Sequence, residues 1–432
     1  MKHFLLIVSA SISALFLMGN AHERKPVTIV SSDAASHLLS QGNSLLFEEN
    51  GVSIIRLAGA VDSDFDNVYV VRMPNETEIP FFAERLGKVL HFEANQFALM
   101  RIDEPQKVEE LSYRMHLEGA ACGAMMRLEG DKMVQEVTAV GEPRIPVATD
   151  LPGVRTMVSQ VSADRIGTMI DEVSSITTRY HSSPTGKAMA GLLREKYLAL
   201  ANGRSDVTVE LFEHGTKTPQ NSLIVRILGK TYPNEIVVLG SHIDSVNMMG
   251  GSGSRSPGAD DNASGTSTNF EIFRILMANG VHPDRTIEIH GYAAEEMGLV
   301  GSQDMAQKYK AAGKNIITMV QHDMNLYKAS GAPDKIWFVT NNTVDAFNMA
   351  LGALVDQYVG VEWGKKALSG GDSDHTSWRR QGYVTSFPFE DPAAYNRKIH
   401  TEEDSLANAH AMTQVAAFAK LGLAYLSHYA GI

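Results

Sequence analysis

The sequence predicts an α/β fold in which a mixed, mostly parallel sheet is sandwiched between helices, with a small α+β unit before it. Three observations predict it. The chain has 432 residues, which is more than one small domain needs. After about residue 155, short apolar runs alternate with helical spacing, as in parallel sheets covered on both faces. Before that point short β-rich runs dominate, and a segment rich in proline and glycine, residues 140–154, separates the two parts.

The first residues predict export. A short basic start, Lys2-His3, precedes an apolar run over residues 4–18, and small residues follow up to Ala21. This pattern is typical of a secretory signal peptide over residues 1–21, so we expect a secreted or periplasmic protein. An uncleaved anchor helix is the alternative, but the run is shorter than the roughly 20 residues that span a bilayer. We expect no stable membrane anchor after cleavage.

Residues 22–150 are predicted to form the α+β unit, with a helix at 109–116. Its strands are expected at residues 26–30, 52–57, 68–73 and 89–102. We find no catalytic cluster in this unit. Cys122 is the only cysteine, so no internal disulfide forms, and a buried apolar role is favoured over a nucleophilic one.

Composition excludes one class of partner. The formal net charge is −12, whereas nucleic-acid binding needs a basic face. The hydrophobic fraction of 44% is enough for a sizeable core. We therefore expect a folded protein that does not bind nucleic acid.

Residues 151–432 are predicted to form the main domain. Strands are expected at residues 222–227, 236–239, 286–290, 316–320 and 336–339. Helices are expected at residues 163–177, 186–201, 265–278, 302–311, 344–357 and about 413–428. In such sheets ligands bind beyond the carboxyl ends of the strands.

Histidine and acidic residues follow these strands. His242 comes just after the strand at 236–239, and Asp244 lies on the same side of an extended chain, where it can orient the imidazole. Taken alone, this triplet is more often a surface pair than a metal ligand with its partner. Asp323 follows the strand at 316–320, and His400 comes late in the chain.

Two pairs of adjacent acids complete the pattern. Asp260-Asp261 lies between glycines before the helix at 265–278, and Glu295-Glu296 follows a buried strand. Helix capping is the alternative for the first pair, and a first-turn pair for the second, but capping needs only one acid. Carboxylates with imidazoles and no thiolate suit zinc or a similar divalent ion. The number of ligands suits two ions that share one carboxylate, about 3.5–4 Å apart.

Seven sequence stretches resemble one enzyme family. They are SHIDS, PGADDNASG, YAAEEMGLVGSQD, QHDM, SDHTSW, PFED and IHTEEDSL. In this order they resemble the zinc aminopeptidases of clan MH, family M28, and most closely its secreted bacterial leucyl aminopeptidases. The resemblance implies a zinc-peptidase (phosphorylase/hydrolase-like) fold over residues 151–432. It also implies that residues 22–150 are a propeptide, which makes the precursor a zymogen activated by a maturation protease.

The resemblance implies two zinc ions. Asp260 is then the bridging ligand, Glu296 and His400 bind one zinc, and His242 and Asp323 bind the other. The metals could also be cobalt or manganese.

The resemblance assigns further roles around the ions. Glu295 is the implied general base and Asp244 the partner of the metal-binding His242. The Asp260–Asp261 peptide bond is implied to be cis. Apolar pocket positions for the first side chain of the substrate are kept at Met324, Phe389 and Ile399.

The sequence departs from the family at residues 368–372. The family's tyrosine that contacts the tetrahedral intermediate is Gly370 here, so the contact comes from another residue, with Tyr383 and Tyr395 as candidates, or from zinc alone. Asp372 stands where the family has a cysteine of the pocket wall. If Asp372 faces the pocket, it favours Lys or Arg over Leu as the first residue; otherwise it is a solvent-exposed loop acid.

The predicted function is removal of the first residue of peptide or protein N-termini by a monomer. The substrate preference is Leu or another hydrophobic residue, or alternatively Lys or Arg. Another reaction on the same scaffold, as in glutaminyl cyclases and some carboxypeptidases, is one alternative, although cyclases use a single zinc. A non-catalytic binding domain is the other, although such domains lose ligands and none is lost here.

Overall fold

The computed structural model describes most of the chain. The described residues are 27–41, 43–49, 52–58, 60, 65, 67–73, 76–117, 125–128, 151–248, 250–369 and 372–432. The expected signal peptide (residues 1–21), Cys122, most of the linker and Gly370 lie outside them. No helix among the described residues is long and apolar enough to cross a membrane.

The chain forms two compact units. The first is Met1–Asp66 with Leu128–Gln135, and the second is Asn67–Arg127 with Glu136–Ile432. The described elements of the first unit are β1 (Val27–Ser31), α1 (Ser32–Ser40), β2 (Ser44–Glu49) and β3 (Val52–Arg56). Its strands form an antiparallel sheet in the order β1-β3-β2. Its small core contains Ala35, Leu45 and Ile55.

The second unit begins with a four-stranded antiparallel sheet in the order β5-β6-β4-β7. Its elements are β4 (Val68–Arg72), α2 (Phe81–Leu86), β5 (Lys88–Glu93), β6 (Phe97–Arg101), α3 (Pro105–Leu117) and β7 (Met125–Arg127). The single strand predicted at 89–102 is a hairpin. The chain reverses at Asn95, whose positive φ of 59° is a conformation that asparagine adopts readily. The strands predicted at residues 26–30, 52–57 and 68–73 are confirmed as β1, β3 and β4.

The rest of the second unit alternates strands and helices. Its helices are α4 (Pro152–Val158), α5 (Ala163–Ser174), α6 (Pro184–Ala201), α7 (Gly265–Ala278), α8 (Val300–Ala311), α9 (Asp345–Leu354), α10 (His375–Arg380) and α11 (Met412–Ala430). Its strands are β8 (Val207–Phe212), β9 (Ser222–Ile227), β10 (Tyr232–His242), β11 (Arg285–Tyr292), β12 (Asn315–Gln321), β13 (Lys335–Val339), β14 (Glu362–Lys366), β15 (Thr385–Ser386) and β16 (Pro388–Phe389).

The main sheet has the strand order β15-β12-β10-β11-β9-β8. Strands β15, β12, β10 and β11 are parallel, while β9 and β8 run antiparallel to their neighbours. Helices and apolar strand residues share one large core, which includes Val237, Leu239, Phe273 and Phe418. The predicted mixed, mostly parallel α/β fold is confirmed. The parallel strands bring their carboxyl ends to one edge.

The linker predicted at residues 140–154 extends too far toward the C-terminus. Pro152 and Gly153 are not loop residues but begin α4, which continues to Val158. Proline is favoured in the first turn of a helix, because its missing N–H has no intrahelical partner there and its φ is already helical.

Candidate metal centre

Three neighbouring parallel strands end in the functional side chains. Strand β10 ends at His242, which lies opposite Tyr292 at the end of β11. A turn over Glu295–Met297 follows β11, and Asp323 follows β12. Because the three carboxyl ends lie side by side, residues far apart in sequence meet at one edge.

The structure forms two groups of ligand-type side chains with one shared member. His242, Asp261 and Asp323 form the first, and Asp261, Glu296 and His400 form the second, with the ligand atoms of each group within 4.8 Å of one another. Asp261 Oδ1 lies 2.9 Å from His242 Nε2, and Asp261 Oδ2 lies 3.1 Å from His400 Nε2. His242 Nε2 is 3.3 Å from Asp323 Oδ1, and His400 Nε2 is 2.9 Å from Glu296 Oε2. Asp261 therefore has one oxygen in each group.

The assignment of Asp260 as the shared ligand is wrong by one residue. Asp261 has an extended-type backbone (φ −109°, ψ 88°), and neighbouring side chains of extended chain point to opposite sides. Asp260 faces away from the histidines, and its Oδ1 accepts a hydrogen bond of 3.0 Å from the backbone N–H of Leu326. Burial, then the nearby charge of Asp404, raises the pKa of Asp260 well above its ordinary value.

The predicted cis bond is displaced in the same direction. The cis peptide bond joins Asp261 and Asn262, not Asp260 and Asp261. Asn262 Oδ1 accepts a hydrogen bond of 2.8 Å from the N–H of Gly265, the first residue of helix α7. Neither aspartate makes this contact, and Asp261 remains directed at the histidines.

The buried atoms of this cluster fit a divalent cation. Both Asp261 oxygens, His242 Nε2, Glu296 Oε1 and Asp323 Oδ1 make no hydrogen bond with any residue that the structure describes. Asp261 and His242 are nonetheless about 3 Å apart, so their lone pairs converge without the angles of a hydrogen bond. Buried polar atoms need partners, and imidazole with carboxylate is a donor set of zinc. The chemistry of the site therefore fits this metal.

The charges of the cluster are strongly interdependent. Burial alone would lower the pKa of His242, but the charges of Asp323 and Glu295 hold it well above its ordinary value. For His400 the same opposition, dominated by Glu296, raises the pKa to about 10. Burial would raise the pKa of Asp261, but the two imidazoles hold it below its ordinary range. A cation bound here takes the place of these protons.

Asp244 positions two parts of the centre. Its Oδ1 lies 3.3 Å from His242 Nδ1, as predicted. The same carboxylate accepts the backbone N–H groups of Glu295 at 3.1 Å and Glu296 at 3.2 Å. One side chain therefore orients the imidazole of β10 and the turn after β11, and the sequence indicated only the first contact.

Glu295 and Glu296 differ although they are adjacent. Glu296 contacts His400, and burial raises its pKa to about 7 against the opposing charge of that histidine. Glu295 lies in neither ligand group, is buried, and has a pKa raised well above its ordinary value, first by burial. The divergence of neighbouring side chains that the sequence predicted is present.

Two positioning residues were missed from the sequence. Asp404 accepts the backbone N–H groups of Asp260 at 3.1 Å and Asp261 at 3.0 Å, so it fixes the turn that carries the shared ligand. Ser373 Oγ donates a 2.6 Å hydrogen bond to Asp323 Oδ2. Both lie within the stretches IHTEEDSL and SDHTSW, so the motifs marked the regions but not the atoms.

The pocket positions come together beside the centre. Met324, Phe389 and Ile399 share one buried apolar cluster, which also contains Tyr395. Tyr383 packs instead in a different cluster, and its hydroxyl donates to the carbonyl of Lys314 at 3.2 Å, so it is not a replacement for the family's tyrosine. The expectation of a solvent-exposed Asp372 is also excluded, because this residue is buried.

Comparison with known proteins identifies the same enzyme family as the sequence motifs. Residues 222–425 match the model of Peptidase family M28. The chain is 33% identical to leucine aminopeptidase 1 of Ajellomyces capsulatus over 60% of its own length and 69% of that protein. It is 35% identical to a probable aminopeptidase of Saccharomyces cerevisiae over 54% of its own length and 64% of that protein. The LapA aminopeptidase of Legionella pneumophila superimposes with a TM-score of 0.72 and 25% identity, covering 85% of this chain and 98% of that one.

Proposed function

Because this chain belongs to peptidase family M28 and is a zinc aminopeptidase, we propose that it removes the first residue of peptides at a centre of two zinc ions. One observation carries the number of ions: Asp261 directs one oxygen into each of two ligand groups. Asp261 is then the bridging ligand. The first group supplies His242 and Asp323, and the second supplies Glu296 and His400.

The residues around the ions divide the chemical work. Bound zinc lowers the pKa of a water molecule and polarises a carbonyl group. Glu295 would take a proton from the attacking water and return it to the leaving amine, since it is buried, adjoins Glu296 in the chain and belongs to neither ligand group. Asp244 and Asp404 keep the ligand-bearing turns in place through their backbone hydrogen bonds.

The decisive test combines metal content with substrate choice. We expect about two zinc ions per chain, loss of activity on chelation, and recovery on addition of zinc. Peptides with a free first amine should be cleaved, and the same peptides with an acetylated amine should not. Full activity with one zinc ion would refute the two-ion centre, and equal cleavage of blocked peptides would refute the exopeptidase assignment.

Export and activation belong to the same proposal. The mature enzyme is secreted or periplasmic after loss of residues 1–21, and a maturation protease cuts in the linker near residues 140–154. N-terminal sequencing of the protein from the culture medium and from the periplasm tests both steps. An intracellular protein that starts at Met1 would contradict export.

A further inference from the structure

Asp372 is buried against Arg72, an arginine of the N-terminal sheet. Asp372 Oδ2 lies 2.9 Å from Arg72 Nη2, and both side chains are almost fully enclosed, with 1% and 6% exposed. Asn342 Nδ2 donates to the same oxygen at 3.2 Å. The other oxygen accepts the Ser373 N–H at 3.1 Å and the hydroxyl of Thr376. The neutral donors hold the carboxylate in place, and Arg72 pairs with its charge.

Asp372 lies next to both the metal centre and the apolar pocket. Its chain neighbour Ser373 donates to Asp323, a member of the first ligand group. His375 Nε2 lies 3.6 Å from Asp372 Oδ1. The centroid of the His375 ring lies 4.7 Å from that of the Phe387 ring. Phe387 belongs to the apolar cluster of the predicted pocket residues. An acid therefore lies beside this apolar cluster, close to the first ligand group.

The sheet that carries Arg72 also contacts the turn bearing the catalytic glutamates. Met297, in that turn, packs against the core of the N-terminal sheet. The backbone of strand β7 approaches Gly298 so closely that an added Cβ there would lie 3.1 Å from the Arg127 N. Strand β4 pairs with β7, with Val71 opposite Met125. The pair β4–β7 thus contacts the Glu295–Gly298 side through β7 and the Asp372 side through Arg72.

We propose that Asp372 is the specificity residue for a basic first side chain, and that Arg72 occupies its subsite in the full chain as an internal ligand. This deepens the proposed function and depends on it. A buried carboxylate without a cation is costly, so removal of Arg72 leaves a subsite that selects a lysine or arginine side chain. The apolar walls then contact the methylene groups of that side chain.

The test uses the full-length chain and measures binding separately from turnover. In calorimetric titrations, Arg72→Ala should bind free arginine, which has no amide bond to cleave, at least about tenfold more tightly than the unaltered protein, since one charged hydrogen-bonded contact is at stake. The binding of free leucine should change much less. Arg114→Ala, which removes an exposed arginine of α3 in the same N-terminal segment, is the matched control and should change neither.

A second variant isolates the acid. Adding Asp372→Asn to Arg72→Ala should remove the gain in arginine binding, and should lower the Lys to Leu ratio of kcat/KM by at least about tenfold. The double variant Arg72→Gln/Asp372→Asn keeps polar side chains at both positions without the charges, so it replaces the alanine variant if that variant fails to fold. An unchanged Lys to Leu ratio in an enzyme with metal-dependent leucine activity would overturn this inference alone. Absence of metal-dependent activity on every amide would overturn the proposed function.

Discussion

Two buried acids, Glu288 within strand β11 and Asp261 in the segment before α7, have surroundings that give them opposite characters. Glu288, in the middle of β11, accepts hydrogen bonds from Arg226 at 2.8 Å, Tyr309 at 2.8 Å and His290 at 2.9 Å. Asp261, at the strand ends, is equally buried, but neither of its oxygens accepts a hydrogen bond from a described residue. The fold satisfies the first carboxylate with its own donors. It leaves the second directed at imidazole nitrogens.

Burial alone therefore does not identify a functional acid. Burial by itself would raise the pKa of Glu288, but His290 and Arg226 lower it to about 2. Burial raises the pKa of Glu296 to about 7, because one opposing histidine does not compensate for it. An acid whose donors are all present is structural, whereas a group of acids with converging unbonded oxygens calls for a cation.

The largest expected effect comes from the shared ligand. Asp261→Asn should lower activity by at least about 10⁴-fold and reduce the bound zinc, because one carboxylate serves both groups. Asp260→Asn is the matched control, since its carboxyl group faces Leu326. Metal analysis and peptide hydrolysis measure both. Zinc loss in the Asp260 variant with retention in the Asp261 variant would restore Asp260 as the bridging ligand.

The next effect separates a proton carrier from a ligand. Glu295→Gln should lower kcat by about 10²–10⁴-fold and leave the zinc content unchanged, because Glu295 belongs to neither ligand group. Glu296→Gln should lose zinc as well as activity. Zinc loss in the Glu295 variant would contradict the role of general base.

A substitution of Glu288 should affect stability and not metal binding. Glu288→Gln should lower the free energy of unfolding by about 3 kcal/mol at pH 7 and leave the zinc content unchanged. The folded-state pKa of Glu288 lies below its ordinary value of 4.5, so its stabilisation is complete above that value and is lost as pH falls toward about 2. Chemical denaturation at pH 7 and at pH 3 measures it. A stability difference that stays constant over this range would contradict the assignment.

The smallest expected effect concerns Asp244, which is fully supplied with donors yet lies at the centre. Asp244→Asn should weaken zinc affinity about 10–100-fold, because it orients His242 and the Glu295–Glu296 turn without touching the ions. Competition with a zinc chelator of known affinity measures the change. Complete zinc loss would make Asp244 a direct ligand.

Much of the fold was predictable because its signals are local. Strand β9 and helix α7 have the predicted bounds, Ser222–Ile227 and Gly265–Ala278. A run of apolar residues between turn residues already describes a strand covered on both faces. The miss at residues 89–102 was a turn within an apolar run, where Asn95 was the available signal.

The metal site, like the fold, was predictable only where the signal is local in sequence. The residue types, the family and the placement of His242, Glu296 and Asp323 at or just after strand ends were predictable from the sequence. The sequence did not separate Asp260 from Asp261, because two adjacent identical residues differ only in the direction that the backbone gives them.

The pairs of side chains that are distant in sequence are visible only in the folded structure. Arg72 and Asp372 are 300 positions apart, and no local pattern brings two such side chains together. The same holds for Asp404, whose contacts with the Asp260–Asp261 backbone require the late loop to pack against the segment that precedes α7. Local chemistry thus fixed which groups are available. Their directions and partners were fixed by packing, because a hydrogen bond depends on angles and on distances of about 3 Å that sequence spacing does not encode.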